Sequence, residues 1–140
     1  MAPYLVWVLV LGSKLFTMLI VLLLVGDIGS VRSQTQIPSV WNGEWVAEGT
    51  LFQIRVTVVN GLMKIDQIES LGQVWSNEDG TVADSNASVI VNYAGASGEI
   101  RAELIDPETA RVFVASCTPD FMVVCVLSKE RQAIFRKVQH

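Results

Sequence analysis

Histidine is all but missing from this chain: of 140 residues only the last, His140, is one. Without an imidazole in the body of the fold, nucleophilic or general-base chemistry built on histidine is excluded. Cysteine is scarce as well. Cys117 and Cys125 stand alone, so a structural metal site lacks the further thiolate or imidazole ligands it would need. No Gly-rich phosphate loop and no Gly-x-Gly-x-x-Gly occurs. Basic charge is short too. From Gln34 onward eight Lys and Arg face thirteen Asp and Glu, a net of about −5. Nucleic-acid binding needs a basic face, so that class is excluded. Carboxylates are plentiful, but they fall on outward strand positions or in turns, not as a pair flanking a cleft. Asn77, Asp79, Asp84 and Asn86 crowd one stretch. Their spacing fails that of a calcium loop, and they read as a polar turn. The expectation is a protein that is not an enzyme and carries no cofactor or metal.

What charge there is lies unevenly. Residues 44 to 108 hold eleven acids against Arg55, Lys64 and Arg101. Residues 111 to 140 hold Arg111, Lys129, Arg131, Arg136 and Lys137 against Asp120 and Glu130. Such a split reads either as an ordinary solvated surface or as a polarised one that orients the domain on a partner or a lipid headgroup.

Residues 1 to 33 have a different character. "YLVWVLVLGSKLFTMLIVLLLVG" (4 to 26) carries one charge, Lys14. In one reading Lys14 belongs to a signal-peptide n-region, residues 15 to 26 are its apolar core, and Val31 and Ser33 precede a cleavage site. In the other, the stretch is an uncleaved helical membrane anchor. Lys14 would then lie within the bilayer at a cost of about 2.5–3.5 kcal/mol, eased by snorkelling or a polar partner. No Cys lies near Ser33, which excludes a lipoprotein anchor. Both readings put the following domain outside the cytoplasm, periplasmic or secreted. There a lone Cys117–Cys125 pair is expected to form a disulfide.

Residues 34 to 40 read as a linker, and 41 to 140 as one domain of about a hundred residues. In that domain no segment has the 3.6-residue period of a helix. Phe52, Ile54, Val56 and Val58 alternate with polar residues, and Asn60-Gly61 follows as a tight hairpin turn. The return strand, 62 to 70, loses register at Ile68, which a β-bulge near Asp66 would repair. Further strands are expected at 72–76, 87–93, 99–105, 110–117, 122–128 and 132–138. Turns are expected at 77–81, 94–98 and, through Pro107, at 106–109. The disulfide would staple the hairpin between the penultimate strands. Sequential hairpins with short links predict an all-β fold: a small antiparallel up-and-down barrel of about eight strands, preceded by the N-terminal hydrophobic helix. A two-sheet sandwich is the alternative.

The opening of this domain, Trp41-x-Gly43-x-Trp45, resembles the first-strand signature of the calycin barrels, the lipocalins, fatty-acid-binding proteins and avidins. The likeness covers these five residues and the meander pattern. The chain departs from lipocalins in being shorter and in lacking a C-terminal helix. The resemblance implies that Trp45 plugs one end of the barrel, with Arg136 (or Arg131) packed across it. It also implies a small apolar ligand inside, for which Trp41, Trp75 and Tyr93 are the candidate contacts.

Three functions are compatible with these observations. The first is an extracytoplasmic interaction domain, an accessory subunit or partner-binding module. Its leader either tethers it to a membrane or exports it. The second is a carrier of a small apolar ligand. The third is an inhibitor of an extracellular enzyme that presents "TPDFMVV" with Phe121 and Met122 as anchors.

Overall fold

Asn60 and Gly61 adopt φ of +52° and +77°, the left-handed pair that a two-residue hairpin turn requires. They join β2 (Gln53–Val59) to β3 (Leu62–Glu69), and Ala94-Gly95 makes the same kind of turn between β6 (Asn86–Tyr93) and β7 (Ala96–Asp106). In the computed structural model, which describes residues 37–140, the other elements are β1 (Gly43–Ala47), β4 (Trp75–Asn77), β5 (Gly80–Ala83), β8 (Thr109–Thr118), a short helix α1 (Val123–Ser128) and β9 (Gln132–Lys137). The leader, including Lys14, and the start of the linker lie outside the described residues.

Every pairing is antiparallel. The ring runs β1-β2-β3-β5-β6-β7-β8-β9 and returns to β1, an eight-stranded closed barrel. Closure gives every strand of the ring a neighbour on each side, although β3 joins β5 through only two residue pairs. Inner positions alternate along each strand. Trp45 and Ala47 on β1, Val56 on β2, Met63 on β3, Ala87 on β6, Ala110 on β8 and Phe135 on β9 form one buried cluster.

The structure departs from the sequence pattern at several places. First, the strand expected at 72–76 is only Trp75–Asn77, because Leu71 and Gly72 (φ +54° and +74°) spend the preceding residues on a turn. Second, "NEDGT" does not reverse the chain. β4 pairs Asn77 with Val91, and β5 pairs Thr81 with Ser88, along the same edge of β6. The two are halves of one broken strand, kinked at Glu78-Asp79. Third, the register shift in β3 falls at Ile68 itself, between the Ile54–Gln67 and Gln53–Glu69 pairs, and leaves Ile68 exposed.

Residues 122–128, expected as a strand, form α1, with Val126 N–H donating to Met122 O at 3.0 Å. β-Branched residues disfavour helix. β8 pairs with β7 as far as Thr118 but with β9 only through Thr109–Phe113; the segment does not take the remaining edge and satisfies its backbone internally.

The Cys117–Cys125 disulfide forms, with Cα atoms 5.4 Å apart. It ties α1 to the end of β8 and does not staple a hairpin. Replacing both cysteines with alanine is expected to cost about 2–3 kcal/mol, from the chain entropy that the closed loop removes in the unfolded state. A urea titration of the double variant against the parent checks this. A loss below about 1 kcal/mol would mean that the bond constrains the unfolded chain little.

Candidate ligand cavity

The barrel has a closed end and an open end. At the closed end the chain enters through a turn at 40–41 that drives Trp41 under the ring. Trp41 and Trp45 are 3% and 2% exposed, with ring centroids 6.0 Å apart. Each indole N–H is satisfied: Trp45 Nε1 donates to Trp41 O at 2.9 Å, and Trp41 Nε1 to Asp84 O at 3.3 Å in the β5–β6 turn. Asn42 Oδ1 accepts from Val58 N–H at 2.7 Å, which fixes the segment against β2.

The cation over Trp45 is Lys137, not Arg136. Lys137 Nζ lies 5.1 Å from the Trp45 ring centroid and donates to Val40 O. Burial pushes its pKa down from the ordinary lysine value. Arg136 points outward, to Thr109 Oγ1 at 3.1 Å and Glu48 at 3.6 Å. Arg131 is exposed at the opposite end. Gly43 is required between the tryptophans. Its φ is +133°, and an added Cβ would lie 3.4 Å from Lys137 Cε. Gly43→Ala is expected to destabilise by about 1–3 kcal/mol through backbone strain. Thermal unfolding should register it as a Tm at least about 5 °C lower. An unchanged Tm would show that the strand start relaxes freely.

Above this floor lies a cavity of about 600 Å³. Its walls are Ile54, Val56, Met63, Ile65, Val89, Val91, Ile100, Val112 and Val114, with Phe52 and Phe135 meeting edge to face at 6.1 Å. The void exists because several inward positions are small: Ala87, Ala96, Gly98, Ala102 and Ala110. Small-molecule sites typically enclose about 300–1,000 Å³.

α1 lies at the open end, where Val124, Ser128 and Cys117 join the cavity lining. Met122 is half-buried against the β6–β7 turn, 3.2 Å from the point a Gly95 Cβ would occupy. Phe121, Val123, Val126 and Leu127 face solvent, Phe121 at 76% exposure. Along the wall, β3 pairs with β5 only through Leu62 and Met63, so the rest of β3 runs beside β4 without a ladder. A side chain bridges this seam: Gln67 Nε2 donates to Trp75 O at 2.9 Å. Trp75 packs against Phe52, with ring centroids 5.9 Å apart and the planes tilted by 34°, and Tyr93 Oη donates to Gln73 Oε1.

Charged groups stay outside. Glu44 takes Arg55 at 2.5 Å, and that bond holds its carboxyl below the ordinary value. Among the described residues no three His, Cys, Asp or Glu side chains converge as a metal site would require.

Of the residues singled out from sequence, Trp41, Trp45, Trp75, Tyr93 and Cys117 converge on the cavity. Phe121, Met122 and Arg136 do not. Sequence reasoning missed Phe135, Gln73 and Val124 as lining residues. Phe135 alternates inward on β9 and is findable; Gln73 lies between a turn and β4, and Val124 on α1, in two segments where the sequence pattern predicts strands. No family model, no curated protein and no solved structure matches this chain.

Proposed function

We propose that this protein is a non-enzymatic, extracytoplasmic barrel that binds a small apolar ligand in its interior. The observation that carries this reading is the 600 Å³ cavity, lined almost wholly by aliphatic and aromatic side chains and bounded by a tryptophan floor and a disulfide-tethered helix. Apolar walls that far apart make no contact across the cavity, and an apolar ligand between them would supply those contacts. The resemblance of Trp41-x-Gly43-x-Trp45 to the calycin opening points the same way. A disulfide is compatible with an oxidising compartment, and the apolar run at 4 to 26 supports export or anchoring at a membrane. Intact mass of the mature protein separates those two: a start near Gln34 means export without an anchor.

Native mass spectrometry of protein extracted without denaturation tests the binding reading. The expected result is an adduct that organic extraction removes. A bare mass, together with no uptake of a neutral apolar dye, would sink it.

A second reading is favoured by the outer face of α1, where Phe121, Val123, Val126 and Leu127 are exposed together. A protein partner docked there would cover them, as an accessory subunit or inhibited enzyme would. Substituting Phe121 and Val123 by serine should then abolish co-purification of that partner. Unchanged co-purification removes this reading.

A further inference from the structure

The two ends of the barrel differ in what they expose. β1, β3, β6 and β8 run away from the Trp41 floor, so the connections at 48–52, 70–74, 94–95 and 119–131 surround the mouth of the cavity. Large apolar side chains stand out from three of them. Leu51 is 75% exposed and Val74 88%, and on the last connection Phe121 and Val123 are 76% and 71% exposed, with Val126 and Leu127 beside them. On the hairpins of the closed end, Val59, Leu62 and Ile105 are each less exposed than any of those four.

These tips follow one arc. Leu51 precedes Phe52, which packs against Trp75, the residue after Val74. Val74 shares a shallow surface depression with Gly95 and Thr118. Met122, between Phe121 and Val123, lies over Gly95. Inward, the same connection lines the cavity through Val124 and Ser128. The apolar rim and the apolar interior are therefore continuous. Scattered exposed apolar residues are ordinary, but a continuous set marks an interaction site. A protein seated on α1 alone would leave Leu51 and Val74 in water. A fluid hydrocarbon layer takes every tip at once, whatever their heights.

Charge at the mouth decides what drives the contact. Lys129 and Arg131, just after Ser128, are exposed and enter no ion pair among the described residues. The acids of the same connection, Asp120 and Glu130, are equally unpaired and cancel them. Of the other acids at this end, Glu48 faces Arg136 and Glu69 accepts from Leu71 N–H. The mouth has no cationic excess, so insertion of apolar side chains, not attraction to anionic headgroups, must drive docking. We infer that the rim docks on a phospholipid bilayer surface. The tips enter the outer acyl layer, Lys129 and Arg131 meet lipid phosphates, and the cavity exchanges its apolar ligand there without passing it through water. The docking stands on the exposed rim alone; the exchange rests on the binding reading above.

The test places a reporter at a tip, Phe121→Trp, in the full chain. The protein is mixed with phosphatidylcholine vesicles whose acyl chains carry bromine, a short-range quencher of tryptophan. The variant should lose at least about twofold more emission than the parent, as a side chain in the acyl layer would. About 1 M NaCl, which screens charges beyond roughly 3 Å, should leave that difference unchanged. Val59→Trp, at the closed end, should quench no more than the parent. Adding Val126→Asp and Leu127→Asp to Phe121→Trp should return quenching to the parental level; all three positions are exposed, so the fold is kept. A neutral apolar dye loaded into the vesicles should reach the protein at a rate that rises with vesicle concentration, and several-fold more slowly with the aspartate pair. Parental quenching of Phe121→Trp overturns the docking. So does quenching of Val59→Trp in its place, or docking that needs anionic lipid and vanishes in salt. A reporter that shifts blue with protein concentration and ignores vesicles means that a second copy covers the rim, and also overturns it. Transfer at a rate independent of vesicle concentration overturns the exchange alone. A dye that never binds removes the binding reading and the exchange, and leaves the docking result standing.

Discussion

Trp45→Ala will destabilise the barrel by about 3–5 kcal/mol, the range for deleting a fully buried aromatic side chain. Trp45 is 2% exposed and holds three separate partners at the closed end. Its N–H satisfies Trp41 O, its face carries Lys137, and its ring backs the Trp41 indole. Alanine removes all three and joins the vacated space to the existing cavity. Nothing can collapse to fill it, because the neighbouring inward positions are small or already part of the void. Trp45→Phe retains the packing and loses the N–H and part of the ring, so its cost should fall well below that of alanine. Urea unfolding, followed by both far-UV circular dichroism and the fluorescence of the remaining tryptophans, measures this. A loss under about 1 kcal/mol for alanine would show that the floor is not what closes this end.

The second large effect is on binding. Val91→Trp will weaken any interior ligand at least tenfold, equivalent to about 1.4 kcal/mol. Val91 lines the cavity and lies across from Gly98, so an indole there extends over a position with no side chain. Overpacking a filled core costs about 1–3 kcal/mol. Here the added bulk enters an existing void, and the fold should keep its stability or gain some. The control is Val59→Trp, an exposed site on β2 beside the Asn60-Gly61 turn, which should leave binding unchanged. Loss of binding with retained stability separates occupation of the cavity from damage to the barrel. Parental binding in Val91→Trp would place the ligand elsewhere.

Much of the barrel was legible in the sequence because its physics is local. Phe52 to Val58 alternates, Asn60-Gly61 can adopt two successive positive φ values, and each hairpin needs only its own residues to declare itself. The failures share a cause: they depend on which edges remain free. Asp79-Gly80 has the chemistry of a reversal, yet β6 offers one long edge that takes β4 and β5 in succession. Residues 123–128 have the composition of a strand, yet they leave the β9-side edge of Val114–Thr118 unpaired and close on themselves as a helix.

The floor was half legible. Trp45 stands out at once. The calycin resemblance implies Arg136 or Arg131 over it, but the cation there is Lys137, as the alternation of β9 already argues. If Phe135 faces inward, then Lys137 does too and Arg136 does not. The cavity was hidden for a different reason. Whether inward apolar residues fill a barrel or leave a void depends on their summed volume. Ala87, Ala96, Gly98, Ala102 and Ala110 each look unremarkable as strand residues. Only their convergence in one ring makes a space.

The central claim is that this space is a binding site, and one titration addresses it most directly. A neutral solvatochromic dye is added to the protein while tryptophan emission is excited and energy transfer to the dye is recorded. Trp41, Trp45 and Trp75 all line the cavity, so a dye held inside lies in contact range of three donors. The account predicts saturable one-to-one binding with strong transfer and a blue-shifted dye spectrum. Non-saturating uptake, or saturable binding without energy transfer, would contradict it.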